Sequence, residues 1–304
     1  MAKPSNKPVL WFFVLAILIS GVGQGVHLLV MNRLVAGAPA GVAFDDPPLA
    51  TWLRYAPWVT STGPSLAGLL VTLWLCGLPG LRRLAGQLAP WSVGRAWPML
   101  AVSLFLPLGI IILPDAILAA LGASVARPSW EGVTAYVYGA VVSGGLTGPG
   151  LFEEIGWRGF AVPQLQRRYS ALRSSLIIGL MWALWHWPNF VIPSPRPPWW
   201  SMAAFVPMTM AVSVLFTWVF NSTGGSLFAV VVLHGAIYTA GRMYPAPAGV
   251  TVRDALVGGL LVAAIAVALV WRYGAENLSW RQRVVAGPDP GPVQHPDPPS
   301  PQAP

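Results

Sequence analysis

Apolar residues run through this chain in blocks of about twenty, the length an α-helix needs to cross a bilayer, parted by short stretches rich in Pro, Gly, Trp and Arg. Eight such blocks predict helical spans, at 9–31, 63–81, 97–121, 133–152, 172–192, 202–220, 227–240 and 252–271. The seventh is short and the fourth is rich in glycine. The first exceeds the apolar core of a cleavable signal peptide and shows no small-residue cleavage site, so it predicts a retained helix. Residues 1–285 therefore read as one all-α domain, a polytopic transmembrane helical bundle of about eight spans. Residues 286–304 are too Pro-rich and too poor in apolar side chains to pack, which predicts a disordered tail.

Charge is sparse: eighteen Lys and Arg and ten Asp and Glu among 304 residues. With the N-terminus inside, twelve of the eighteen basic residues fall on the same side. The positive-inside rule then predicts an integral membrane protein with both termini cytoplasmic. Topology thus accounts for the net charge of +8 without a nucleic-acid partner. The partners implied are membrane lipid, including anionic headgroups, and whatever enters the bundle. Cys76 stands alone and supplies neither a disulfide nor a thiolate metal site.

Against that background three polar insertions stand out. Glu153, Glu154 and Arg158 lie in FEEIGWRGF, His186 in LMWALWHWPNF and His234 in FAVVVLHGAIY. Ionisable side chains at membrane depth mark function by default. Glu154 and Arg158 are four positions apart with the acid first, the favoured order for an ion pair on one helix face. Glu153 lies about 100° round the helix and is left out of that pair. A desolvated carboxylate without a cation partner suits a general base acting on water, so Glu153 is the candidate base and Glu154 with Arg158 its support. Pro188 after His186 predicts a kink that frees a carbonyl and opens a wet pocket. Tyr238 follows His234 by one turn on the same face. One carboxylate and two imidazoles can hold a zinc ion, with Glu153, His186 and His234 as ligands. They can equally work without metal, one His with the base and the other stabilising an oxyanion. Spacing leaves both open, and both end in hydrolysis of a carbonyl.

At these residues the sequence resembles the CPBP (CAAX protease and bacteriocin-processing, or Abi) family of intramembrane metalloproteases. FEEIGWRGF resembles its EExxxR motif, WALWH its aromatic-xxx-His motif and LHGAIY its late His motif, with the likeness running over about 63–241. The resemblance implies a catalytic core like the type II CAAX prenyl endopeptidases. It also implies that Glu153 activates water, that Glu154 and Arg158 support it, and that His186 and His234 complete the site. The family often has Asn four residues after the late His, where this chain has Tyr238. Tyr238, Thr239 or a water then supplies the donor. Zn2+ is the cofactor the family description implies.

The function expected is an intramembrane endopeptidase acting on a membrane-associated peptide or protein. Its location is expected to be a bacterial cell membrane, as the compact single chain and the likeness imply. The alternative is a non-catalytic immunity or scaffold protein on the same fold, which the Tyr238 departure keeps open.

Overall fold

The computed structural model describes residues 7–35, 60–122, 129–191, 202–240 and 252–286, with residues 48, 51, 56 and 58. Regular structure among them is helical throughout, as long apolar runs require where no water can satisfy the backbone. Helix α1 is Lys7–Val35, α2 Gly63–Leu88, α3 Pro98–Ala120 and α4 Trp130–Tyr138. A first π-helical segment, Gly139–Leu146, leads to α5, Pro149–Glu154. A second, Ile155–Ala161, leads to α6, Val162–Leu165. Then come α7, Ala171–Trp185, the short α8, Pro188–Val191, α9, Met202–Ser222, α10, Leu227–Thr239, and α11, Val252–Asn277.

Among the described residues five helices are long and apolar enough to cross a membrane: Lys7–Met31, Gly63–Leu88, Pro98–Ile117, Met202–Ser222 and Val257–Asn277. The other three expected spans differ. The block at 133–152 is broken into α4, the first π segment and α5. The block at 172–192 stops being one helix at Trp185, and the block at 227–240 is a 13-residue helix. At 1.5 Å per residue, α7 and α10 are only about 20 Å long, short of the roughly 30 Å hydrocarbon core. The physical reason is local. Glycines at 144, 145 and 150 let the backbone of α10 crowd the fourth block, and Pro188 prevents α7 from continuing through His186. The Pro-rich tail expected from 286 lies outside the described residues beyond Ala286.

These interrupted helices form the centre. Helix α10 packs on the first π segment and on α3, α7 packs on α9, and α1 and the second π segment both pack on α2. Phe12 of α1 meets Trp157 edge-on at 5.3 Å and Phe160 at 5.4 Å, so the first helix buttresses the segment that carries Arg158. Trp185 donates to Ser20 Oγ at 2.7 Å and ties α7 to α1.

One glycine is fixed by close approach beside the site. A Cβ on Gly235 would stand 2.1 Å from the Ala140 carbonyl oxygen and 2.6 Å from the Gly145 nitrogen. Both obstacles are backbone, so α10 would have to move off the first π segment. Gly235→Ala is expected to destabilise the bundle by about 1–3 kcal/mol, read as a lower melting temperature in detergent. An unchanged melting temperature would refute this packing of α10.

Candidate active site

The second π segment opens straight after the carboxylate pair. Its widened turn still leaves Arg158 able to reach back to Glu154, and such turns recur at functional sites. Arg158 Nη1 donates to both Glu154 oxygens at 3.0 Å. Its Nη2 donates to Ser213 Oγ of α9 at 3.2 Å, and the guanidinium lies 4.3 Å over the Phe216 ring. Neither Glu154 nor Arg158 has any solvent exposure. Charges this deep persist only when matched on several sides, and here two hydrogen bonds, a hydroxyl and an aromatic face do so.

Glu154 also fixes the late histidine. His234 Nδ1 stands 2.7 Å from Glu154 Oε1. A carboxylate only accepts, so the Nδ1 proton points at Glu154, and a neutral His234 presents the lone pair of Nε2 on the other side. That nitrogen faces Glu153 Oε1 across 4.0 Å, too far for a direct hydrogen bond. The other Glu153 oxygen, Oε2, accepts from Trp182 Nε1 at 2.6 Å. Glu153 thus has one oxygen held and one turned toward His234. The sequence reading left it without a partner, because the donor is 29 positions away on α7.

His186 caps the end of α7. Its Nδ1 lies 2.9 Å from the Trp182 carbonyl oxygen, the acceptor that the helix end exposes. The ring packs edge-on against Trp185 and Phe205, and the Trp182 ring touches both imidazoles, at 5.9 Å for His186 and 5.5 Å for His234. Tyr238, one turn past His234, is 50% exposed while His234 is 7% exposed. Thr239 is buried and donates to the Gly235 carbonyl.

The structure therefore gathers Glu153, Glu154, Arg158 and His234 into one buried cluster. It adds Trp182, Ser213 and Phe216, which sequence reasoning did not assign to the site. Trp182 had a signal, its place four residues before His186. Ser213 and Phe216 had none, being ordinary members of an apolar span. Among the described residues no three His, Cys, Asp or Glu side chains are arranged to hold a metal ion. The expected zinc set of Glu153, His186 and His234 is not such a group, although a carbonyl partner on His186 Nδ1 is compatible with ligation through its Nε2.

An all-helical bundle crossed by long apolar helices, with a carboxylate pair, a guanidinium and an imidazole sealed inside, defines a polytopic membrane protein with an ionisable interior site. Within that class, residues 132–240 match the family described as Type II CAAX prenyl endopeptidase Rce1-like. That stretch contains Glu153, Glu154, Arg158, His186, His234 and Tyr238. Over 90 residues the chain is 29% identical to CAAX prenyl protease 2 of Methanococcus maripaludis, covering 27% of this chain. The chain spans about a third, 33%, of the length of that curated relative.

Proposed function

We propose that this chain is an intramembrane endopeptidase that hydrolyses a peptide bond of a membrane-associated substrate with a water activated by Glu153. The observation that carries this reading is the 4.0 Å gap between Glu153 Oε1 and His234 Nε2, enclosed by buried aromatic residues. Two hydrogen bonds of about 2.8 Å each would meet at a water in that gap at roughly a right angle. A water so placed has its proton directed at the carboxylate and its oxygen free to attack a carbonyl. Glu153 takes the proton as the oxygen adds to the scissile carbonyl carbon, then returns it to the leaving amine nitrogen as the C–N bond breaks.

The remaining groups have distinct duties. Arg158 offsets the charge of Glu154, and Glu154 holds His234 in the tautomer whose Nε2 accepts. His234 orients the water, and the Trp182 N–H holds the second oxygen of the base. A neutral His186 bonded through Nδ1–H to the Trp182 carbonyl presents Nε2 only as an acceptor, so it can donate to an oxyanion only as the imidazolium. The name of the Methanococcus relative, a CAAX prenyl protease, supports the protease class.

The test is cleavage of a peptide library by the purified chain in nanodiscs, with and without a chelator. Products that form equally in both arms are expected. Loss of cleavage on chelation, with recovery on adding zinc, would move Glu153 and His234 into a metal centre. No products with any peptide would favour the non-catalytic alternative.

A further inference from the structure

Apart from the buried cluster, a concavity of about 410 Å³ lies between the N-terminus of α7 and the C-terminal end of α11. Arg168, Ser170, Arg173, Ala275, Glu276 and Arg283 line it. We propose that this concavity binds a phosphate group. The inference is independent of the protease reading.

Charge is the first argument. Three guanidinium groups converge on one hollow against a single carboxylate, Glu276, and that carboxylate is already paired with Arg283. Arg283 is also anchored by donating through Nε to the Gln166 carbonyl oxygen at 2.9 Å. Arg168 and Arg173 are exposed, and neither guanidinium has a hydrogen-bond or ion-pair partner among the described residues. An unmatched pair of guanidinium groups beside an anchored third suits a tetrahedral oxyanion, which accepts several charge-assisted hydrogen bonds at once. The opening turn of α7 faces the same hollow, its Arg173 N–H capped by Ser170 Oγ at 3.3 Å, and adds the positive end of a 15-residue helix.

Position is the second argument. The membrane-crossing stretch Val257–Asn277 leaves helical geometry at Gly274, with φ of 76°, and Ala275 and Glu276 lie just past that break. The concavity therefore sits where a bilayer changes from hydrocarbon to headgroup, the level of lipid phosphates. Basic pockets between helices at that level recognise anionic headgroups. A free phosphate in solution offers the same chemistry.

The experiment reconstitutes the full chain in nanodiscs of phosphatidylcholine with and without phosphatidylglycerol and counts retained lipid by native mass spectrometry. Wild type is expected to retain phosphatidylglycerol in preference to phosphatidylcholine. The variant R168Q/R173Q is expected to lose that preference about tenfold, since two charge-assisted contacts go. The variant R82Q/R95Q removes the same charge elsewhere and is expected to keep it. A second arm titrates inorganic phosphate in phosphatidylcholine discs and reads the melting temperature. Saturable stabilisation by phosphate that R168Q/R173Q abolishes, without lipid retention, would assign the site to a soluble phosphate. Retention that falls equally in both double variants, or no response to either anion, overturns the proposal.

Discussion

Glu153→Gln is expected to lower peptide cleavage by about 10²–10⁴-fold, the usual worth of a positioned general base, while leaving the folded state almost unchanged. The two expectations separate because the substitution is nearly isosteric. The amide oxygen of the substituted side chain can still accept from Trp182 Nε1, which in the wild type holds Glu153 Oε2 at 2.6 Å. The amide group can also face His234 across the same gap. What it cannot do is accept a proton from water. Rates are to be measured under single-turnover conditions in nanodiscs, so that product release does not mask the chemical step. Thermal unfolding of the same preparation shows whether the bundle is intact. Cleavage by Glu153→Gln at wild-type rate would remove Glu153 as the base. In that event His234, whose Nε2 faces the same space, becomes the candidate.

The architecture and the site were legible to different depths in the sequence, for physical reasons. Long spans could be read because hydrocarbon leaves the backbone no alternative to helix, and five of the eight expected blocks are helices of that length. The three blocks that carry the polar motifs were misjudged in form. Hydropathy sees apolar glycine-rich sequence as a span, but Gly144 and Gly150 lie where a Cβ would strike the backbone of α10, so close packing replaces a straight helix. Within the site, the Glu154–Arg158 pair was legible because it is local, four residues apart on one turn. The bonds that shape the chemistry span 29, 55 and 80 positions, from Glu153 to Trp182, from Arg158 to Ser213 and from Glu154 to His234. Periodicity holds no information about which helices become neighbours, so these partners had to come from the fold. The same limit applies to Tyr238: helical spacing tells that it lies one turn past His234, but not that it is half exposed while His234, Thr239 and Ala240 are buried.

The second large effect concerns stability. Arg158→Met is expected to destabilise the bundle by about 3–5 kcal/mol, the cost of leaving one partner of a buried ion pair uncompensated. Glu154 would keep His234 Nδ1 but lose both hydrogen bonds from Nη1, at a site with no exposure to water. Methionine fills most of the volume against Phe216 and Trp182, so the loss reports charge more than packing. The double variant Glu154→Gln with Arg158→Met removes the stranded charge and is expected to recover most of that stability, because buried ion pairs are often replaceable by neutral groups. Recovery of stability should not bring recovery of cleavage. Once the carboxylate of Glu154 is gone, nothing of that charge holds the His234 Nδ1 proton, so the tautomer that turns the Nε2 lone pair toward Glu153 is no longer enforced. Unfolding in a denaturant series for the two single variants and the double variant closes the cycle. A coupling energy near zero would mean that Glu154 and Arg158 act separately, and wild-type cleavage by the stable double variant would leave the pair a purely structural role.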